Sequence, residues 1–198
     1  MIDQIARFVI PAALELLPPA MTSPEARAML LAIGLQESEF RMRRQGGGGP
    51  ARGFWQFEKP GIRGVVTHAS SRKHLATVLG ELRYGAALGQ TVTLHGIVEH
   101  NDLLACIFAR LLLWTLPDAL PTANQAGVGW AQYLDAWRPG KPVPETWGAH
   151  FANAWAFVDG IDTETHTLAG ARETIARRDQ RIAELEAQLP TLKEDHDV

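Results

Sequence analysis

The sequence predicts a mainly α fold, organised as one domain with a helical appendage. Apolar residues recur at helical spacing along most of residues 1–158, and few stretches alternate as strands do. The segments between these runs are rich in glycine and proline, which punctuate helices. Beyond about Asp159 the composition shifts to a polar stretch whose apolar residues fall seven apart. With 198 residues, 46% of them hydrophobic, the chain can bury one real core and still carry a tail.

Taken in order, residues 1–17 are expected to form an amphipathic helix, with Ile2, Ile5, Phe8, Val9, Ala12, Ala13 and Leu16 at helical spacing. A proline-rich turn follows. Thr22 and Ser23 offer an N-cap, and Pro24 and Glu25 suit a first turn, so a second helix is expected over 24–40. It is apolar almost all round (Ala26, Met29, Leu30, Ile33, Leu35, Phe40), which suits a helix inside a domain. The run Gly46 to Pro50 is a loop with little intrinsic order. Residues 51–64, ARGFWQFEKPGIRG, are too broken by glycine and proline for a helix and suit a turn or short hairpin. Helices resume over 71–90 and 99–116, the latter ended by Pro117 and Pro121. A short helix over 125–137 reaches the loop RPGKPVP, and 145–158 closes the domain.

The tail, 159–198, carries a heptad pattern. Ile161, Leu168, Ile175, Ile182 and Leu189 fill one position, and Ala171, Leu185 and Leu192 fill most of its companion, with Arg178 the exception. A coiled-coil-like helix that self-associates through 161–192 and a salt-bridged helix packed back on the domain both fit this pattern. Pro190 and the acidic end LKEDHDV should fray.

Net charge is −3, so no global basic field draws the protein to nucleic acid or to an anionic surface. The lone Cys106 excludes an intrachain disulfide and reads as a buried small hydrophobe. Asp3, Arg7, Glu15 and three prolines interrupt the N-terminal apolar run, so no signal peptide is expected. No run approaches the ~20 apolar residues of a membrane span. The chain is therefore expected to be made in the cytoplasm, without a membrane span.

Glu37 is the first residue whose position points to chemistry. Ile33 lies four before it and Phe40 three after, which places its carboxylate on an apolar helix face. A poorly solvated carboxylate keeps its proton to higher pH, as a glycosidase acid must. Periodicity alone favours a surface glutamate that happens to fall on that stripe.

The text LAIGLQESEF…ARGFWQF resembles the lysozyme-like superfamily, in particular lytic transglycosylases and their phage relatives. That family has a buried helix ending in a Glu-Ser pair with an aromatic shortly after, then a variable loop, then a Gly-aliphatic-Met-Gln type turn. Here the pair is Glu37-Ser38 with Phe40, the loop runs from Arg41 to Arg52, and the turn is Gly53-Phe54-Trp55-Gln56. Glu37 and Gln56 lie 19 positions apart, close to the family spacing. The match is firm over 24–60. The wider pattern QES-x-F, FWQFE, ARLLLW and WRPGKP-x-P-x-TW resembles phage-encoded proteins across nearly all of 1–158.

The resemblance implies a lysozyme-like domain over 1–158 that cleaves peptidoglycan between MurNAc and GlcNAc, as a phage lytic transglycosylase, endolysin or virion-associated lysin. Glu37 would be the acid and then the base. Ser38 would hold substrate or orient Glu37, Gln56 would hydrogen-bond the sugar, and Gly53 would let backbone approach the glycan. Trp55 stands where the family often has Met, and would stack on a sugar or fill the core. Delivery to the wall would follow holin-type release or carriage in a virion. The rival reading is a non-catalytic virion structural protein that keeps the fold, with the tail and a basic loop as its working parts.

Glycosidases usually use two carboxylates, yet no Asp lies between Asp3 and Asp102. Glu39, two residues from Glu37, points elsewhere on a helix. Glu58 follows Gln56 by two and in an extended segment would share its face, as a water-activating base or as a solvated turn residue. The missing Asp favours the one-glutamate route of lytic transglycosylases, with hydrolysis through Glu58 as the second chemistry. Asn124, in Ala123-Asn124-Gln125-Ala126-Gly127, is a weaker substrate-binding candidate, since the family's Tyr-Asn-Ala-Gly stretch is only partly matched. Trp130, Tyr133 and Trp137 share a helix face and suit either core or sugar stacking.

Other patterns carry less. Arg41, Arg43, Arg44, Arg52, Lys59 and Arg63 form a basic cluster that suits stem-peptide carboxylates, phosphates or simply solvent, and no nucleic-acid signature accompanies it. His95 and His100 are five apart, not the four that align two ligands on a helix, so no metal site is expected. No Gly-Lys-Ser/Thr follows the glycine run, so it is not a phosphate loop. No cofactor is expected either.

Overall fold

A computed structural model of the chain describes residues 1–194, with side chains through Glu184. The protein is mainly helical. Among the described residues no strand forms, and extended pairing is limited to isolated bridges between Arg44 and Arg52 and between Arg52 and Phe57. Two compact units divide the chain, Met1–Val158 and Asp159–Val198.

The first helix is continuous but not regular. Helices α1 (Ile2–Gln4) and α2 (Ile10–Glu15) are joined by a π turn, Ile5–Val9. Pro11 has no N–H to offer the Arg7 carbonyl, and its ring would crowd it; the wide turn relieves both problems. The extra residue rotates the face. Ile5, Ala6, Ile10, Ala13, Leu14 and Leu17 are buried, whereas Phe8, expected inside, is 67% exposed.

Helix α3 (Pro24–Ser38) starts as expected, with Ser23 Oγ accepting from the Ala26 N–H. It stops two residues short of the expected end. Glu39 and Phe40 adopt φ 49 and 55, a left-handed pair without glycine that costs about 1–2 kcal/mol per residue. Burial of the Phe40 ring offsets this cost. The ring packs over Gly34, where a Cβ would collide with it, and meets Phe54 and Trp55 edge-on at 5.7 and 5.8 Å. Phe40 therefore reaches the core from beyond the helix rather than from its face.

Residues 59–64, the second half of the expected turn or hairpin, instead open helix α4 (Lys59–Thr67). Pro60 lies in the first turn, where no N–H is needed, so it starts the helix rather than breaking it. Helix α5 (Arg72–Glu81) is shorter than the expected 71–90, and residues 91–98, expected as a gap, lie in α6 (Thr91–His100). Asn101 then caps α7 (Asp102–Leu113) by accepting from the Leu104 N–H. Every residue of α7 from Leu104 to Leu113 is buried, Cys106 included. Helices α2, α3, α4, α6 and α8 (Ala126–Trp137) all pack against it. Burial pushes the Cys106 thiol far up, so it stays protonated and inert. Arg110, also buried on α7, donates to the Met21 carbonyl at 2.7 Å and lies over the Trp114 ring.

Helix α9 (Pro144–Glu194) begins in the first unit, where Trp147, Phe151, Ala154 and Val158 are buried. In the second unit it exposes Leu168, Ile175 and Ile182, at 61%, 57% and 50%. The heptad positions at Leu185, Leu189 and Leu192, and the fraying expected of the acidic end, lie outside the residues whose side chains are described.

Candidate active site

The last turn of α3 delivers Glu37 to the floor of an open cleft of about 1050 Å³. The turn after Trp55 and the start of α4 contribute Gln56 and Glu58 to the same cleft, and α8 contributes Tyr133 and Trp137. Three of the sequence-predicted site residues, Glu37, Gln56 and Glu58, thus meet in one place.

Glu37 is half-buried, and Tyr133 Oη donates to its Oε1 at 2.7 Å. Burial pushes its carboxyl from 4.5 up to about 7. The Tyr133 hydrogen bond opposes that rise, and the nearby Glu58 charge adds to it. Burial and the adjacent carboxylate also push the Tyr133 phenol well up, so it remains a donor at every working pH. The result is a carboxyl group that is partly protonated at neutrality and held by one hydrogen bond, the condition for general-acid work.

Gln56 adopts φ 46, and its side-chain amide donates to the Gly53 carbonyl at 2.8 Å. That bond fixes the amide plane beside the cleft. Glu58 is exposed at the N-cap of α4.

Four other expected substrate residues lie elsewhere, each for a clear reason. Ser38 is buried. Its hydroxyl meets the Phe54 carbonyl at 2.7 Å and the Gly34 carbonyl at 3.3 Å, and accepts from the Phe40 N–H at 3.1 Å. It ties α3 to the following turn and so positions Glu37 without reaching substrate. Gly53 has φ 72, and a Cβ there would come within 2.5 Å of the Val98 carbonyl oxygen. The close approach it permits is to α6, not to a glycan. Trp55 is fully buried and donates to the Leu30 carbonyl at 2.8 Å, so it fills the core and presents no face to a sugar. Asn124 sits exposed in the turn before α8, outside the cleft lining.

The basic cluster is largely spoken for. Arg43 makes a bidentate pair with Asp102 at 2.6 and 2.9 Å. Arg44 and Arg52 converge on Glu99, and Arg41 pairs with Glu39. These contacts fasten the 41–52 loop to the α6–α7 junction. His95 is buried and bonds the Phe57 carbonyl through Nε2 at 2.9 Å, and burial lowers its pKa; it acts as a neutral strut. Among the described residues no three His, Cys, Asp or Glu side chains gather as a metal centre would need.

The aromatic stripe of α8 packs as core, and two of its members also line the cleft. Tyr133 stacks on Trp147 at 5.4 Å and on Trp137 at 6.2 Å, and Trp130 leans on both Tyr133 and Trp147. Trp137 donates to the Trp55 carbonyl at 2.9 Å while lining the cleft. Tyr133 is the residue whose bond to Glu37 sequence reasoning missed. Its helical phase with Trp130 and Trp137 suited core or sugar stacking, but nothing local linked it to Glu37, 96 positions away.

Comparison with known proteins gave no matching family model, no matching curated protein and no matching solved structure.

Proposed function

We propose that the protein is a glycosidase of lysozyme-like fold that cleaves the MurNAc–GlcNAc strand of peptidoglycan, with Glu37 as acid and then base. The observation that carries this reading is Glu37 itself. It is a half-buried carboxyl group poised near neutrality, bonded to a phenol, and set in an open cleft beside Gln56.

In the lytic transglycosylase form, protonated Glu37 gives its proton to the glycosidic oxygen as the C1–O bond of N-acetylmuramic acid breaks. The sugar's own N-acetyl oxygen stabilises C1. The C6 hydroxyl then attacks C1 and returns its proton to Glu37, leaving a 1,6-anhydro end and a restored acid. Tyr133 holds Glu37 in place through both steps, and Gln56 offers its amide to the sugar. Hydrolysis is the second reading, and Glu58 favours it. That carboxylate lines the same cleft and could activate a water for attack at C1, giving a reducing end.

The rival is a structural virion protein that has kept the fold and lost the reaction. A disused Glu37 would be expected to be sealed by an arginine. Its partner is instead a tyrosine, and the cleft is open. Among the described residues no helix is long and apolar enough to cross a membrane. Access to the wall would come through holin-type release or carriage in a virion. The exposed Leu168, Ile175 and Ile182 support self-association or a virion contact through the tail.

The test is digestion of purified sacculi by wild type and Glu37→Gln, with soluble muropeptides identified by mass spectrometry. Anhydro products that vanish in the variant are expected. Reducing ends would select hydrolysis, and no release by the wild type would overturn the enzymatic reading.

A further inference from the structure

The arginines that the sequence places beside Glu37 are not the cations that face its cleft. Arg43, Arg44 and Arg52 spend their guanidinium groups on Asp102 and Glu99. The cleft itself is lined by three acids, Glu37, Glu58 and Asp135, and by two cations, Arg138 and Lys141. Both cations lie on the loop between α8 and α9, within the motif WRPGKP.

This loop is held at both ends by the catalytic elements. Before it, Trp137 Nε1 donates to the Trp55 carbonyl, next to Gln56. After it, Gln36 Nε2, next to Glu37, donates to the Val143 carbonyl at 2.9 Å. Pro139, Pro142 and Pro144 restrict the backbone between these pins. Arg138 sits at φ 50, where its N–H closes α8 on the Leu134 carbonyl. Its Nε donates to the Asp135 carbonyl at 3.0 Å, its guanidinium stands 4.0 Å from the Asp135 carboxylate, and its side chain is 82% exposed. No carboxylate among the described residues pairs with Lys141. Two cations that face the single Asp135 carboxylate are therefore held on a braced rim, while the Glu58 charge would repel an anionic ligand elsewhere in the cleft.

We infer that Arg138 and Lys141 form a carboxylate-binding rim that selects muramic-acid-bearing glycan over neutral N-acetylglucosamine polymer. This rests on the peptidoglycan reading above and adds to it the source of substrate choice. Peptidoglycan carries carboxylates on its stem peptides, and on its lactyl groups once the peptides are removed; chitin-type chains carry none. Two exposed charge contacts together correspond to at most roughly a tenfold difference in affinity, weakened by salt.

The experiment measures binding by calorimetry in the Glu37→Gln background, with and without Arg138→Gln and Lys141→Gln. Three probes are used: soluble peptide-bearing glycan strands, amidase-stripped strands that keep only lactyl carboxylates, and chitohexaose. The rim substitutions are expected to weaken peptide-bearing strands by up to roughly tenfold and to leave chitohexaose unchanged. Loss on stripped strands as well assigns the contact to the lactyl group; loss on peptide-bearing strands alone assigns it to the stem. Equal loss on all three probes, no loss on either charged one, or no binding of any probe overturns the inference. Should the double variant melt early, Lys141→Gln alone, at an exposed loop position, is measured against the same three probes with the same outcomes. Sacculus digestion by the wild type keeps the two readings apart, because release of muropeptides without rim discrimination defeats only the rim.

Discussion

Glu37 and Glu99 are both carboxylates drawn out of bulk water, and their neighbours set them to opposite tasks. Glu99, 7% exposed on α6, receives Arg44 through two bonds at 3.0 and 3.1 Å and Arg52 at 2.8 Å. The Arg44 hydrogen bonds hold its carboxyl below the ordinary range despite burial. Glu37 receives a phenol and looks across the cleft at Glu58, and its carboxyl rises to about 7. Burial alone is common to both. A cationic partner turns a buried acid into an anchor, and a neutral donor leaves it an acid with a proton to give.

The largest expected effect is on stability, with opposite signs at the two sites. For Glu37 the folded value lies above the unfolded one, so the folded state binds the extra proton. Stability then falls as pH rises from 4.5 to about 7, by about 3 kcal/mol in all. Glu37→Gln removes that penalty. Chemical denaturation should find the variant up to about 3 kcal/mol more stable than wild type at pH 8 and little changed at pH 4. Equal stability of the two proteins at pH 8 would show that Glu37 ionises without cost.

Glu99→Ala comes next and acts the other way. It leaves Arg52 part-buried without its carboxylate, and roughly 2 kcal/mol should be lost, less than for a fully buried pair because Arg44 is 62% exposed. The wild-type Glu99 contribution is present above the unfolded carboxylate value and fades as pH falls. Muropeptide release well below the melting temperature should survive this substitution, since Glu99 does not line the cleft.

Tyr133→Phe is expected to raise the Glu37 midpoint by roughly one pH unit, because it deletes the one hydrogen bond that favours the carboxylate. The alkaline limb of the activity profile should move with it. Glu58→Gln should lower the midpoint by a few tenths of a unit, as an exposed charge couples weakly. If Glu58 is also the water-activating base, reducing-end products disappear in this variant while anhydro products remain.

The sequence carried Glu37, Gln56 and Glu58 because each sits in a short segment whose spacing and chemistry are local. It carried the Ser23 cap for the same reason. Ser38, Gly53 and Trp55 were picked out by the same motif, yet they serve the backbone around Glu37. A motif marks residues that a site needs, and it does not separate those that touch a ligand from those that hold the ones that do. Tyr133, and the pairing of Arg43, Arg44 and Arg52 with Asp102 and Glu99, depend on contacts across tens of positions, 96 of them between Tyr133 and Glu37. No local pattern encodes these. The π turn at Ile5–Val9 and the start of α4 at Lys59 turned on proline, which stops a helix in one place and starts it in another.

The most direct measurement is a carbon-13 NMR titration of the glutamate carboxyl groups, with Glu37 and Glu99 assigned by their glutamine variants. A Glu37 midpoint near 7, with Glu99 titrating below the ordinary glutamate range, is the expected result. A Glu37 midpoint near 4.5 would contradict it, because the residue would then hold no proton to give at neutral pH.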